Sequence, residues 1–408
     1  MQYKVETIPH PLYGNQRFPM LVNSHNFGMP EPSAAIWGWE LWLSSPFNTV
    51  SGRLGDLCVF YEFVSNELPT FFEDAAKLTL LTSRQINTLA TFLLINFRYD
   101  IKDGVTVSPS TYNRRIDSIK LFLRSHYGRY IERLEDFEKA ESFTKRLNGI
   151  CNKIGKKRYS KADVENQTKY SLPLCPEEVD LLRLVVRPST ESFVNEVNPF
   201  RPQLQVRNAC LILLLIEIGC RASELVLIQN NDRHLKLTTN PTVVIQDLNI
   251  NDPSHRGRND GASHKTRNRE LPISRGLADL LIDYIEDHRP KLRRPFKGKL
   301  TEYLFVSEKD GGAMTTSGLD YVLETIFKNV PQLESAIHPH RLRVTKANEV
   351  RAGVDDDYKE KNSPMIKAGD MQDTLTTWGG WSSTSDMPKR YTNSHIQRNL
   401  NKYLAGKE

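Results

Sequence analysis

The sequence predicts a mainly α-helical protein with a small antiparallel sheet, divided into more than one domain. The chain has 408 residues, and a domain usually contains about 100–200. Apolar residues recur at spacings of three and four over much of the chain, which indicates amphipathic helices. Only two short stretches, 241–250 and 268–273, have the pattern of strands, and a long polar loop joins them.

The composition excludes several classes of protein. The hydrophobic fraction of 39% is sufficient to build cores, so the chain is not mainly disordered. The longest unbroken apolar stretch, residues 209–216, is far shorter than the ~20 residues that span a bilayer. The N-terminus lacks the pattern of a secretory signal, and the five cysteines form no C-x-x-C pair. We therefore expect a soluble, reduced, cytoplasmic protein with no membrane partner.

The first part of the chain predicts an extension followed by a helical domain. Residues 1–45 are rich in Pro, Asn, Gly and aromatics without sustained periodicity, so we interpret them as an irregular extension with a short helix near 34–43. Residues 46–165 have helical periodicity. One of these helices begins at Ser108-Pro109-Ser110, where serine can cap the helix and proline fits its first turn.

Charge is distributed unevenly along the chain. Residues 1–74 contain three basic and eight acidic residues, whereas residues 108–169 contain fifteen basic and eight acidic residues. A basic block in a larger protein fits a polyanion-binding surface, although a charge run alone is more often a solvated helix face. The side chains that we expect to bind a polyanion are Arg114, Arg115, Lys120, Lys156, Lys157 and Arg158.

A second large domain is expected over residues 170–408. Residues 151–170 are polar with almost no apolar face, so we interpret them as an exposed linker that precedes it. Residues 209–218 predict a buried helix, because they are apolar and contain few β-branched residues. Later helices are expected near 276–287, 316–329 and 341–352.

Four short strings in the second domain carry side chains suited to chemistry. They are GCRASEL from Gly219, SHKTRNRELPI from Ser263, HPHRLRVT from His338, and WGGWSS from Trp378 followed by KRYT from Lys389. Each of the first two, alone, is more often a cap or a solvated turn. In the third, His340 and Arg343 are three residues apart at a helix start, where both can face one phosphate-binding cleft.

Together the strings resemble the tyrosine recombinase (phage integrase) family. The match is an R-x-x-E string, a Lys on a β-hairpin, H-x-L-R at a helix start, G-W-S-S, and a C-terminal Tyr. It covers roughly residues 50–408 and implies a helical core-binding domain followed by an α+β tyrosine recombinase catalytic domain. HPHRLR offers two registers, and we choose His340/Arg343 over His338/Arg341 because an apolar residue then precedes the arginine.

The resemblance implies a site-specific DNA recombinase or integrase, of the kind that mobile genetic elements carry, which cuts and rejoins strands through a 3′-phosphotyrosine. It implies that Tyr391 is the nucleophile. Arg221 and Arg343 would bind the non-bridging oxygens of the scissile phosphate, because a planar guanidinium offers paired donors.

The same resemblance implies roles for three further side chains. Lys265 would protonate the leaving 5′-oxygen, and His340 would assist proton transfer. Trp381 stands where the family often has His, and it can only orient or pack because its N–H is a donor that cannot shuttle a proton. No metal or other cofactor is implied.

The implied partners are double-stranded DNA, bound as a clamp between the two domains, and a homotetramer on that DNA. Accessory DNA-bending proteins or partner recombinases accompany some members of the family. The tail, Ser394–Glu408, has a short apolar stripe that could dock on a neighbouring copy or on its own domain: Ile396, Leu400, Tyr403 and Leu404. Such a protein would act at the nucleoid DNA of bacteria. A type IB topoisomerase and a catalytically silent DNA-binding regulator stay open as alternatives.

Overall fold

The computed structural model describes residues 1–9, 17–100, 103–167, 171–247, 260–292, 301–358 and 364–405. The chain divides into two compact units, Met1–Lys169 and Tyr170–Glu408. Each unit contains many helices and one three-stranded antiparallel sheet, which confirms the predicted fold class. No helix in the described ranges is both long enough and apolar enough to cross a membrane.

The N-terminal segment is an ordered part of the first unit, so the expectation of an irregular extension is wrong. Strand β1 (Tyr3–Pro9) pairs antiparallel with β2 (Arg17–Asn23), which also pairs with β3 (Met29–Pro30). Helix α1 (Pro32–Trp42) follows the sheet. Leu21 from the sheet is fully buried in the same hydrophobic cluster as the helices that follow. The sequence conceals these strands because the apolar alternation of β1 covers only its first four residues and most of its side chains are exposed.

In the described ranges, six further helices belong to the first unit. They are α2 (Phe47–Glu67), α3 (Phe71–Ala76), α4 (Ser83–Phe92), α5 (Pro109–Ile131), α6 (Phe137–Gly155) and α7 (Lys161–Gln167). Helix α5 begins as expected, since the Ser108 hydroxyl accepts a hydrogen bond from the Thr111 N–H and Pro109 lies in the first turn. Helices α2 and α5 supply much of the aromatic core.

The segment interpreted as an exposed linker begins inside a packed helix. Helix α6 continues to Gly155, with Cys151 and Ile154 buried against the core, and α7 follows at Lys161. Residues 168–170 lie outside the described residues. Cys151 and Ile154 continue an apolar stripe from Leu147, and two apolar positions in a polar stretch gave too weak a pattern to be recognised.

The second unit surrounds the buried helix α9. Its elements are α8 (Pro176–Val186), α9 (Pro202–Ile218), α10 (Ala222–Val226), β4 (Leu235–Lys236), β5 (Thr242–Ile245), β6 (Arg269–Pro272), α11 (Arg275–Asp283), a π-helical turn (Tyr284–His288), α12 (Arg289–Leu292), α13 (Thr316–Asn329), α14 (Pro339–Asp357), α15 (Pro364–Gly379), α16 (Met387–Tyr391) and α17 (Asn393–Ala405). The predicted strand pair is β5 and β6, which are antiparallel; residues 248–250 of the predicted first strand lie outside the described residues.

Candidate active site

Three segments of the second unit meet at the Arg343 side chain. Arg343 lies in the second turn of α14 and is only 1% exposed. Its Nη1 donates to the Gly219 carbonyl at 2.7 Å, and its Nη2 donates to the Gly379 carbonyl at 2.9 Å. The arginine therefore joins the end of α9, the start of α14 and the end of α15.

Two glycines allow these segments to approach closely. Gly219 ends α9 with φ +60°, and a Cβ there would lie 2.7 Å from the Trp378 ring. Gly380 has φ +65°, and a Cβ there would lie 2.8 Å from Thr266. Both positions need glycine for the backbone conformation and for the space.

Aromatic rings enclose the Arg343 guanidinium. Its central carbon lies 4.8 Å from the ring centroid of Trp378, 5.1 Å from that of Trp381 and 5.3 Å from that of Tyr391. The Trp381 and Tyr391 rings are themselves 5.1 Å apart. These distances fit cation–π contacts, which hold a cation in a pocket where water is excluded.

The histidines of the third string separate into two roles. His340 Nδ1 lies 3.4 Å from the Tyr391 hydroxyl, whereas His338 caps α14 by accepting a hydrogen bond from the Arg341 N–H. Arg341 binds Glu178 and main-chain carbonyls elsewhere in the unit. Only the chosen register, His340 with Arg343, meets Tyr391.

The pKa of His340 is lowered from its ordinary value. Burial is the main cause, and the nearby His338, Arg343 and Arg221 add to it. The lowered pKa favours the neutral imidazole, which can accept a proton from a neighbouring hydroxyl.

The fully buried carboxylate of Glu224 organises the arginines. It binds Arg221 Nη1 at 3.0 Å and Arg269 Nη2 at 2.6 Å, and Arg343 Nη1 lies 4.0 Å away. Burial alone would raise the pKa of Glu224, but Arg269 and Arg343 outweigh it and hold that pKa at about 2. The pKa of Arg343 falls to about 10, mainly through burial. In the sequence, Glu224 stands out only as the glutamate of the R-x-x-E string.

The loop that carries Lys265 is anchored at this site. Lys265 itself is exposed. The next residue, Thr266, donates to Glu224 at 2.7 Å, and the Arg267 N–H donates to the Gly380 carbonyl at 3.0 Å. Tyr391, Arg343, His340 and Trp381 are thus in mutual contact, Arg221 joins them through Glu224, and Lys265 lies on the adjoining loop.

Among the buried donors that have no acceptor in the described residues, Arg269 Nε included, two belong to side chains beside Tyr391. They are Arg343 Nε and Trp381 Nε1. An unpaired buried donor costs about 1–3 kcal/mol, so such atoms need an explanation. Both side chains contact the Tyr391 ring. The arrangement suits a ligand that brings acceptor oxygens next to the Tyr391 hydroxyl. No group of three or more His, Cys, Asp or Glu in the described ranges could hold a metal ion.

The predicted polyanion-binding side chains of the first unit differ in availability. Lys156 and Lys157 are exposed. Arg158 contacts both carboxylate oxygens of Asp117 at 2.7 Å, and the same aspartate lies 3.9 Å from Lys120, which is largely buried.

Arg115 is buried, and its donors bind main-chain carbonyls of the first unit rather than facing solvent. Its Nη1 donates to the carbonyls of Leu93 and Ile95, and the residue is 8% exposed. Its neighbour Arg114 is 59% exposed and pairs with Asp56. Adjacent residues of a helix point in different directions, so a string of two arginines cannot place both on one face.

Parts of the chain are similar in sequence to known proteins. A family model described as the phage integrase family matches residues 189–398. Tyrosine recombinase XerC of Bacillus pumilus (strain SAFR-032) is 28% identical over 144 residues, which are 35% of this chain and 40% of that protein. Tyrosine recombinase XerD of Listeria innocua serovar 6a is 28% identical over 140 residues, 34% of this chain and 39% of that protein. The match thus spans about two fifths of these relatives.

Two solved structures have a similar fold. The XerH site-specific recombinase bound to a palindromic difH substrate, in a post-cleavage complex, gives a TM-score of 0.51 at 16% identity and covers 89% of this chain and 81% of that one. The Tn1549 transposon integrase in complex with circular intermediate DNA gives 0.50 at 14% identity, covering 90% and 99%.

Proposed function

The chain belongs to the phage integrase family, and from that premise we propose that it is a site-specific DNA recombinase or integrase that acts through a 3′-phosphotyrosine intermediate. One observation carries the proposal. The Tyr391 hydroxyl lies 3.4 Å from His340 Nδ1, and its ring contacts two side chains whose buried donors lack an acceptor. A nucleophile, a proton acceptor and anion-binding donors are the groups that phosphoryl transfer to a protein requires.

In the proposed cleavage step the Tyr391 oxygen attacks the scissile phosphorus. A bond forms between phosphorus and the tyrosine oxygen, and the bond between phosphorus and the 5′-oxygen breaks. His340 Nδ1 accepts the tyrosine proton, and Lys265 supplies a proton to the leaving 5′-oxygen. Because the phosphodiester is conserved as a phosphotyrosine, a 5′-hydroxyl can reverse the step and join the strand without ATP.

The donors stabilise the charge that develops on the phosphoryl oxygens. In this proposal Arg343 Nε, Trp381 Nε1 and the Arg221 guanidinium bind the non-bridging oxygens. Glu224 keeps the arginines in place, so little reorganisation is needed when the phosphate enters.

Tyr391→Phe tests the proposed nucleophile. The variant should bind DNA as the wild type does and form no covalent adduct, because it loses one hydroxyl while its ring still packs. The measurement is SDS-stable protein–DNA adduct on a duplex nicked close to the scissile phosphate. Tyr403→Phe, a tail tyrosine whose side chain lies outside the described residues, is the control and should form adduct normally.

The same assay separates the other readings. Adduct in Tyr391→Phe would show that another residue is the nucleophile. Adduct and DNA relaxation by the wild type, without exchange between two sites, would indicate a type IB topoisomerase. Retention of DNA with no adduct would indicate a DNA-binding regulator.

We further propose that the active form is a homotetramer on double-stranded DNA, held by the tail, and that it acts on nucleoid DNA in a bacterial cytoplasm. Leu400 and Leu404 on α17 are 46% and 55% exposed. Exposed leucines one turn apart are available to a neighbouring copy, and a head-to-tail contact of this kind closes into a ring. Accessory DNA-bending proteins or partner recombinases would set which sites are joined.

A further inference from the structure

Asn348 binds the main chain of the proposed nucleophile. It lies on α14, the helix that carries His340 and Arg343, and is only 4% exposed. Its Nδ2 donates to the Val344 carbonyl at 2.7 Å and to the Tyr391 carbonyl at 2.9 Å. Its Oδ1 accepts a hydrogen bond from the His395 N–H at 3.0 Å. These three bonds fix the orientation of the Asn348 amide. A flipped amide would place its oxygen against the two carbonyls and its NH₂ group against the His395 N–H.

The Tyr391 carbonyl lies at a helix end, where such a bond matters. Helix α16 has five residues and ends at Tyr391. Carbonyls in the last turn of a helix have no partner within the helix, so another group must bind them. Asn348 supplies that group from a longer helix, and it does so at the residue whose hydroxyl would attack the phosphate.

Two more side chains on the same face of α14 hold the segment that follows. Arg351 Nη1 donates to the Thr392 hydroxyl at 2.9 Å, and Asp355 Oδ2 lies 2.6 Å from His395 Nε2. Positions 348, 351 and 355 are three and four residues apart, so they form one stripe along the helix. Residues 391–395 are therefore fastened to the helix that holds Arg343.

Resting on the proposed function, we propose that Asn348 is a positioning residue for Tyr391. It fixes the main chain of the nucleophile to the helix that supplies the phosphate-binding arginine and the proton acceptor. The position of the Tyr391 hydroxyl relative to the phosphate is then set from α14, the helix that also carries Arg343 and His340. Misplacement of a reacting group by 1 Å can cost about 10²-fold in rate.

Asn348→Asp is the sharpest test. Aspartate keeps an acceptor for the His395 N–H but has no donor for the Tyr391 and Val344 carbonyls. Asn348→Ala, which removes all three bonds, is the second variant. Both are measured for single-turnover adduct formation at saturating nicked duplex, for DNA affinity, and for the free energy of unfolding in urea. We expect adduct formation to slow by about 10- to 100-fold, with DNA affinity unchanged within about twofold.

Asn195→Asp is the matched control. Asn195 is 6% exposed in the same unit, and its Nδ2 donates to the carbonyls of Leu184, Val185 and Arg187 at the end of α8. The control loses comparable hydrogen bonds from a buried asparagine, so its free energy of unfolding should fall. Its adduct formation at saturating DNA should keep the wild-type rate.

The outcomes distinguish the two proposals. Failure of the wild type to form adduct would defeat the proposed function, and the role of Asn348 with it. Adduct formation at the wild-type rate by both Asn348 variants would overturn the positioning role alone. Loss of folding in both variants, or an equal loss of rate in Asn195→Asp, would assign Asn348 to stability and also overturn it.

Discussion

The Glu224 carboxylate shows how a buried charge is maintained at this site. Arg221, Arg269 and Arg343 surround it, and Arg269 is itself 2% exposed. Each of these charges alone would be costly away from water, and each is compensated by the others. The cluster therefore has two effects: it fixes the positions of the arginines, and it makes the stability of the second unit depend on one carboxylate.

Glu224→Gln should destabilise the second unit by about 3–5 kcal/mol, because it leaves buried arginines without their counter-charge. The free energy of unfolding in urea measures this loss. Glu270→Gln is the control: Glu270 is 45% exposed and pairs with Lys236, and such surface pairs contribute at most about 1 kcal/mol. Equal losses in the two variants would contradict the importance of the buried cluster.

The same cluster predicts a pH dependence of stability. The pKa of Glu224 is about 2 in the folded protein and 4.5 as its ordinary value. Between these values the unfolded chain binds more protons than the folded one, so stability falls as pH falls. The contribution of Glu224 is complete above about pH 4.5 and is lost as pH approaches 2. Glu224→Gln should flatten the acid limb of stability against pH.

Among the elements, α17 connects the proposed nucleophile to the proposed assembly. Asn348 binds the His395 N–H in the first turn of α17, whereas Leu400 and Leu404 near its end are exposed. The double substitution Leu400→Asp and Leu404→Asp should leave adduct formation on one site intact and abolish exchange between two sites. Strand exchange and the mass of the DNA complex are the measurements. Gln397→Asp, on the exposed surface of the same helix, should change neither, and normal exchange by the leucine variant would show that the tetramer is held elsewhere.

The elements that could be predicted from the sequence are those whose ends are marked by neighbouring residues. Helix α5 was predicted because its cap, Ser108, and its first-turn proline lie within two residues. Strand β1 was missed because its stability depends on pairing with β2 and on the Tyr3 N–H donating to the buried Glu62 carboxylate, 59 residues away. No residue close to β1 in the chain identifies Glu62 as the acceptor of the Tyr3 N–H.

The residues of the candidate site likewise include some that the sequence predicts and some that it does not. Tyr391, Arg343 and His340 were predicted because their strings have a recognisable order along the chain. Arg269 and Asn348 were missed, since a cation in a strand and an asparagine in a helix look like surface residues. Their burial depends on elements that are distant in sequence.

At the scale of the whole molecule, net charge is a poor guide to where DNA would bind. The chain carries +6, within which residues 1–74 contribute −5 and the basic block at 108–169 contributes +7. Within that block Arg115 is buried and Arg158 is paired with Asp117, whereas Lys156 and Lys157 are exposed. Only exposed cations can release counterions from phosphates, so these two lysines should account for the salt dependence of binding out of proportion to their number.

The double substitution Lys156→Ala and Lys157→Ala should weaken DNA binding about equally at all sequences, because phosphate contacts carry no sequence information. Each lost contact should reduce the slope of log affinity against log salt by about 0.9, hence about 1.8 for the pair. Titrations at several salt concentrations, on a specific site and on unrelated duplex, measure both effects. Arg115→Ala is the control from the same block: it should lower the free energy of unfolding, because the Leu93 and Ile95 carbonyls lose their donor, and leave the slope unchanged. If the slope of log affinity against log salt is unchanged in the lysine variant, those lysines are an ordinary solvated surface. If that slope falls in Arg115→Ala, the arginine leaves its buried position when DNA binds.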